Sequence, residues 1–182
     1  AFCIYDSKNQ IIFSARDRLG VKPFYYSFIN GKFEISSQLS TLEKNNSSFS
    51  EEAINMYLKL GYIPSPFSIY DHIKKLQPGS FLKIDIKKKE LLTKKYWDLK
   101  QTKIKKWKYD DVLSQLELLI EDSIRIRLNS DVPLGSYLSS GIDSALVTSI
   151  ASKISKKTVN TYTIGFNESK YDESLAAKKY SK

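Results

Sequence analysis

The sequence predicts a chain in two parts: a β-rich half running to about residue 97, then an α/β half from about residue 110. Three observations predict it. Short strand patterns in the first half flank Asn30-Gly31, a dipeptide that supplies the positive φ angles of a tight hairpin. After Tyr109 the apolar residues recur at helical spacing. An apolar stretch, Val132 to Leu138, then runs into the small-residue turn Ser139-Ser140-Gly141-Ile142-Asp143-Ser144. A helix pattern and a second strand, Val159 to Ile164, follow it. That succession has the size of a β-α-β unit with a parallel, right-handed crossover.

Each element of the first half has a local cause. Phe2 to Tyr5 and Ile11 to Ala15 are strand patterns joined by the polar turn Asp6 to Gln10. Phe24 to Ile29 and Lys32 to Ser36 form the Asn30-Gly31 hairpin. Ser50 to Gly61 reads as a helix, with Ser48 and Glu51 as a capping box, Ile54, Tyr57 and Leu58 on one face, and Gly61 as its end. Pro64-Ser65-Pro66 forces an extended loop. Pro78-Gly79 marks a turn before strand Phe81 to Ile86, and Leu91 to Trp97 is the last strand.

In the second half Asp110 or Asp111 is the expected cap of a long helix. Leu113, Leu116, Ile120 and Ile124 form its stripe, which runs to about Leu128. Strand 132–138, the turn, helix 143–155 and strand Val159 to Ile164 follow. Ala176 to Lys182 reads as an unfinished helix, and Ala1 starts inside a strand-like run. An internal piece of a longer protein is therefore expected. The boundary falls in the polar stretch 98–109.

Composition narrows the function classes. No apolar run is long enough to span a membrane, and no charged-then-apolar leader opens the chain. The one cysteine, Cys3, fits a reducing, cytoplasmic setting. Its apolar neighbours predict a buried structural thiol. Net charge is +9, concentrated between Lys87 and Lys108 with Trp97, Trp107 and Tyr109 interleaved. Such a run can contact nucleic acid. A solvated turn and linker in a Lys-rich chain is the preferred reading, and a nucleic-acid partner is not expected. His72 has no second ligand nearby in sequence, so no metal or acid–base role is assigned to it.

The turn at 139–144 carries the most chemistry. Backbone N–H groups at a helix start point outward, and the helix dipole adds positive charge, so a phosphate fits there. Gly141 lets the backbone turn and come close to an anion. Ser139, Ser140 and Ser144 carry hydroxyls for phosphate oxygens. Asp143 suits an anion site only with a cation between, and Mg²⁺ is the usual one at a nucleotide. No Gly-Lys-Ser/Thr follows, so this is not the Walker type. A single Gly also excludes the dinucleotide fingerprint. The turn resembles the pyrophosphate loop of the N-type ATP pyrophosphatases, written Ser-Gly-Gly-x-Asp-Ser, and departs from it at Ser140. An ordinary strand-to-helix turn, with a Ser cap and an Asp in the first turn, is the competing reading.

Further blocks, in order, make the chain resemble glutamine-dependent asparagine synthetase. Arg16-Asp17-Arg18-Leu19-Gly20-Val21-Lys22-Pro23-Phe24-Tyr25-Tyr26 is similar to a block of that family's glutaminase domain. Leu76-Gln77-Pro78-Gly79-Ser80 and Tyr96-Trp97-Asp98 resemble its late turn and its end. Val132-Pro133-Leu134-Gly135 and Thr161-Tyr162-Thr163-Ile164-Gly165-Phe166, with Tyr171-Asp172-Glu173, resemble the synthetase core. The resemblance implies an α+β glutaminase of the N-terminal nucleophile type, here a β-rich sandwich remnant over 1–97. A linker at 98–109 follows. The start of a parallel α/β ATP-pyrophosphatase domain then occupies 110–182, with a fold like the adenine-nucleotide α-hydrolases. It implies that aspartate is adenylated by ATP with Mg²⁺ and amidated by ammonia from glutamine. The products are asparagine, AMP, pyrophosphate and glutamate. A homodimer stays open. Residue by residue, Leu138 and Ile164 match positions whose backbone meets adenosine, with Gly165 counted to the same ATP site. Core packing of the Leu138 and Ile164 side chains is expected as well. Ser139, Ser140, Gly141 and Ser144 match the pyrophosphate cradle, and Asp143 the metal ligand.

The family's N-terminal Cys nucleophile has no counterpart, because Cys3 does not match it, and no catalytic residue is assigned. Ser37-Gln38 stands where the family often has Ser-Glu. Two other enzyme readings stay open. One is an amidotransferase of the same class acting on another carboxylate, such as a sugar uronate or an antibiotic precursor. The other is a tRNA-modifying ATP pyrophosphatase, against which the Arg16 to Tyr26 block argues. A non-enzymatic interaction module ranks last.

Overall fold

In a computed structural model of the chain, residues 1–44, 47–99 and 106–181 are described. Two compact units form, Ala1–Thr102 and Lys103–Lys182. Part of the expected linker, 100–105, and the final Lys182 lie outside the described residues, and with them Lys100, Lys103 and Lys105 of the lysine run.

The first unit holds a four-stranded and a three-stranded antiparallel sheet. Strands β1 (Phe2–Asp6), β2 (Ile11–Ala15), β6 (Ser80–Asp85) and β7 (Glu90–Lys95) form the first, in the order β1-β2-β6-β7. Strands β3 (Tyr25–Ile29), β4 (Lys32–Ser36) and β5 (Ile73–Lys75) form the second, in the order β4-β3-β5. Alternation decides which side chains meet. On β6, Leu82 and Ile84 are buried while Lys83 is exposed. Their cross-strand partners are Ser14 and Ile12 on β2, and Thr93 and Leu91 on β7. Phe24, Leu76, Leu82 and Ile84 form one core, with Ile12, Tyr26, Phe33, Ile35 and Leu91 packed against it. Both sheets contribute to that cluster, so they face each other across it.

The β3–β4 hairpin turns as expected, with Asn30 at φ 51° and Gly31 at φ 73°. Between β2 and β3 the chain is fixed by Arg16. Its guanidinium donates to the carbonyls of Lys22 at 2.9 Å, Gly20 at 2.8 Å and Leu76 at 2.6 Å. Asp17 completes the turn by accepting from the N–H groups of Leu19, Val21 and Lys22. Those bonds, the one from Lys22 foremost, hold its carboxyl below the usual carboxylate value.

Several expectations need correction here. Cys3 is exposed, not buried. It lies on β1, the edge strand of the wider sheet, whose residues Phe2 to Tyr5 are all exposed and absent from the core. The first helix, α1 (Glu51–Leu60), is capped by Ser50, whose side chain accepts from the Ala53 N–H at 3.5 Å. The third residue after that cap is an alanine, so no reciprocal capping box forms. Ser48 instead offers its carbonyl to the Asp71 N–H at 3.2 Å. Ile54, Tyr57 and Leu58 of α1 are exposed, and Ala53 is the residue of this helix that is buried. Strand β5 was not expected. A three-residue strand beside a proline-rich loop leaves too little alternation to read.

The second unit is built from α2 (Tyr109–Arg127), β8 (Gly135–Tyr137), α3 (Ile142–Ile154), β9 (Asn160–Tyr162) and α4 (Ser174–Tyr180). Strands β8 and β9 pair in parallel, Gly135 opposite Asn160 and Tyr137 opposite Tyr162. Both are shorter than expected. Pro133 has no N–H to give to a ladder, so β8 starts after it. Gly135 leaves room for the Tyr162 ring: a Cβ there would meet that ring inside van der Waals contact. Helix α2 begins one residue before Asp110, with Lys108 as an extended N-cap and no side-chain cap bond. Asp110 and Asp111 therefore act in the first turn, where a negative charge suits the helix dipole. Of the expected stripe, Ile124 is buried, while Leu113 and Leu116 are exposed. The closing helix spans Ser174–Tyr180, shifted toward the amino end from the expected 176–182.

Among the described residues no helix is long and apolar enough to cross a membrane. Leu82 is fully buried, so Leu82→Ala should lower stability by about 2–5 kcal/mol. Cys3→Ser should change it by less than about 0.5 kcal/mol, as expected for an exposed site. Urea unfolding of the two variants against the parent checks both. A large loss from Cys3→Ser would return that thiol to the core.

Candidate functional site

The turn joins the carboxyl end of β8 to α3, and two hydrogen bonds fix its start. The Leu138 N–H donates to the Tyr162 carbonyl at 2.9 Å, extending the β8–β9 ladder by one residue. The Thr163 hydroxyl then donates to the Leu138 carbonyl at 2.7 Å. Leu138 is 2% exposed, so its expected packing role holds. Below the turn, the Ser136 and Thr148 hydroxyls lie 2.8 Å apart and tie β8 to α3.

Ser139, Gly141 and Ser144 come together in one small network. The Ser139 and Ser144 hydroxyl oxygens are 2.7 Å apart. Ser144 Oγ also accepts from the Ser139 N–H at 3.1 Å and donates to the Gly141 carbonyl at 3.0 Å. The Gly141 N–H donates to Ser139 Oγ at 3.2 Å. These hydroxyls, expected to face a phosphate, brace the turn itself in this structure. The turn at the glycine does not rely on a backbone angle special to that residue. Gly141 has φ −72° and ψ 148°, a conformation open to any residue. A Cβ there would stand 3.3 Å from Ser139 Oγ, so what the glycine supplies is room.

Gly141 is the N-cap of α3 and brings no side-chain cap bond. The N–H groups of Ile142, Asp143 and Ser144 find no acceptor among the described residues. An α-helix leaves such first-turn donors open to a ligand, and the thirteen residues of α3 supply a dipole behind them. The Asp143 carboxylate is exposed and makes no hydrogen bond or ion pair among the described residues. It is a carboxylate of this turn that could hold a cation. No group of three or more His, Cys, Asp or Glu that could hold a metal occurs among the described residues. A single carboxylate suffices for Mg²⁺ that arrives with phosphates and keeps its waters.

Ile164 and Gly165 follow β9 on the same carboxyl side. Ile164 is 69% exposed, so the expected side-chain packing is not found there. The strand ends at Tyr162, two residues short of it, and the chain has already left the ladder. Asp172 and Glu173 belong to the Tyr171-Asp172-Glu173 block, whose sequence assigns them no role. Asp172 accepts from the Ser174 N–H at 3.1 Å and hydroxyl at 2.9 Å. The Ser174 bonds, then Phe166, hold its carboxyl below the usual value. Glu173 accepts from Ser140. The signal for Asp172 is local: a Tyr-Asp-Glu-Ser run before a helix pattern. A cavity of roughly 500 Å³ lies elsewhere, lined by Arg125, Leu128, Pro133, Leu134, Ile154 and Asn160 at the amino ends of β8 and β9.

Comparison with known proteins adds the family. Residues 1–97 match the family described as Glutamine amidotransferase domain. The chain belongs to that family. Beyond the amidotransferase stretch, residues 115–182 match the family described as Asparagine synthase. A Methanocaldococcus jannaschii protein provisionally named glutamine-hydrolyzing asparagine synthetase 2 is 39% identical over 183 residues, covering 95% of this chain and 34% of the relative. The Bacillus subtilis glutamine-hydrolyzing asparagine synthetase 1 is 31% identical over 180 residues, covering 98% of this chain and 28% of the relative. A Gibberella zeae protein named Amidase chry2 is 28% identical over 200 residues, covering 98% and 29%. The amidotransferase chain thus spans about a third of the length of the curated relatives it matches.

The lowered Asp172 carboxyl gives a signed expectation. A depressed folded-state pKa stabilises the fold above the ordinary value of 3.8, and that stabilisation is lost as pH falls through the lower folded value. The amide resonances of Phe166 and Ser174 should therefore shift together with a midpoint below 3.8. A midpoint at or above that value would remove Asp172 from these bonds.

Proposed function

We propose that this chain is part of a glutamine-dependent asparagine synthetase that works in the cytoplasm. Its first unit belongs to a glutaminase of the N-terminal nucleophile type. Its second opens an ATP-pyrophosphatase domain of the adenine-nucleotide α-hydrolase kind. The whole protein would take glutamine, aspartate and ATP as substrates. One observation carries the reading: open helix donors and a free carboxylate meet at the carboxyl ends of two parallel strands, where α/β sheets bind ligands. They do so in a chain whose first half is an amidotransferase.

Adenylating a carboxylate requires the β- and γ-phosphates to be held as a leaving group. The N–H groups of Ile142, Asp143 and Ser144 would bind them, with the Ser139–Ser144 brace keeping the turn in place and Gly141 giving a phosphate oxygen room to approach. The backbones at Leu138, Ile164 and Gly165 would line the adenosine side. Asp143 would hold Mg²⁺, which when bound neutralises charge developing on the departing pyrophosphate. Donors fixed before the reaction need no reorganisation during it, and that is where such a turn gains its effect.

A second reading has one observation in its favour. The relative named Amidase chry2 matches this chain over almost its full length. An amidotransferase of the same class with a carboxylate acceptor other than aspartate fits the same turn.

The test measures pyrophosphate release by the gene's whole product, with ammonia as nitrogen donor, at several Mg²⁺ concentrations. Aspartate should stimulate release. Asp143→Ala should lower the rate by about 2–4 kcal/mol, roughly 30- to 1,000-fold, while glutamine hydrolysis continues. Release by Asp143→Ala at the parent rate would reduce Asp143 to a first-turn helix residue and sink the reading. Release that ignores aspartate but responds to another acid would favour the second reading.

A further inference from the structure

The carboxylate of Glu173 reaches the turn from 33 residues further along the chain. The Ser140 hydroxyl donates to Glu173 Oε1 at 2.7 Å, and the Ser140 N–H donates to Oε2 at 3.4 Å. Both oxygens of one anion are thus bound by one residue of the turn. Two oxygens of a phosphate would bind an N–H and an O–H in the same way. Glu173 is no stray side chain. It is the N-cap residue of α4, and Asp172 next to it is bound to the N–H and hydroxyl of Ser174. Those bonds fix the backbone from which the Glu173 side chain extends.

We propose that Glu173 is a resident anion of the turn, which a pyrophosphate group must displace to reach the donors of Ser140. This rests on the phosphate-binding reading above. Three physical arguments support displacement over shared occupancy. A carboxylate and a phosphate on the same donor residue repel each other, and the repulsion is strongest where few waters intervene. The exchange itself is nearly balanced, because Ser140 trades one charge-assisted acceptor for another. Glu173 is exposed, so its side chain can swing into water without a large desolvation cost. Ser140 has a particular part in this. The glycine usual at this position of the pattern would offer an N–H alone, and here the hydroxyl makes the shorter of the two contacts. The departure from the pattern thus holds the resident anion more firmly and weakens ground-state binding of the phosphates.

The experiment titrates the ¹⁵N-labelled full chain with inorganic pyrophosphate at constant ionic strength and follows the amides of Ser140, Ile142 and Asp143. Glu173→Gln keeps an acceptor for Ser140 but removes the charge. Glu173→Ala removes both. Unchanged Phe166 and Ser174 amides would verify that the loop keeps its fold. In the parent, all three amides should respond with one midpoint. In both variants the dissociation constant should fall at least threefold. If the Ile142 and Asp143 amides respond in the variants with the parent midpoint, or more weakly in Glu173→Ala, Glu173 is a brace or a bystander. The proposal is then overturned while the phosphate reading stands. If those amides respond in none of the three proteins, the phosphate reading fails and takes the proposal with it.

Discussion

The second unit is shaped by the brevity of its parallel ladder. Three residues on each strand provide too few backbone bonds to hold a turn to a fixed geometry. Side-chain hydroxyls supply what the ladder lacks. Thr163 carries it past the strand end to Leu138, Ser136 with Thr148 fastens β8 to α3, and Ser139 with Ser144 closes the turn. A hydrogen bond between such partners contributes only about 0.5–1.5 kcal/mol net. Its directionality matters more here, because it decides where the open N–H groups of α3 point.

The first unit meets a similar shortage of regular backbone pairing differently. Residues 16–22 leave β2 with no ladder to follow, and their carbonyls need donors. The Arg16 guanidinium collects three carbonyls, those of Lys22, Gly20 and Leu76, and the last of these follows β5 of the other sheet. The planar, always charged donor set of arginine suits such a collection, and lysine could not replace it. The Tyr96 hydroxyl donates back to the Arg16 carbonyl at 2.8 Å. The end of the unit is thereby tied to its beginning. Arg16 thus links the two sheets by hydrogen bonds beside the apolar core that Phe24 and Leu76 share with Leu82 and Ile84.

Much of this was legible in the sequence because the signals were local. Asn30-Gly31 specified its hairpin, Gly61 the end of α1, and the succession of small residues at 139–144 the strand-to-helix turn. The misses share a cause as well. Burial of Cys3 depends on how far one sheet extends beyond the other, which no local pattern encodes. The cap of α1 turned on a shift of two residues, from Ser48 to Ser50, in a serine-rich run where every hydroxyl is chemically plausible. The exposure of Ile164 follows from where β9 stops. Within the turn, the residue types were readable but their partners were not. A serine near a phosphate site and a serine bracing its own loop look alike until Ser139 and Ser144 are seen 2.7 Å apart. Glu173 was hidden for the simplest reason, its distance along the chain from Ser140.

The contact between Gly135 and the Tyr162 ring has a consequence for how the unit reaches its structure. Two strands of three residues can pair in more than one alignment at little cost, and a slipped pairing would displace every donor at the turn. With the tyrosine ring lying where a side chain at 135 would stand, the correct alignment is the one that offers it a bare backbone. A slip of two residues would present Pro133 or Tyr137 to the ring instead. The pair thus favours one alignment by shape alone: a side chain at the contact position would clash with the ring. Position 135 should accordingly be far less tolerant of replacement than its exposure at the surface suggests.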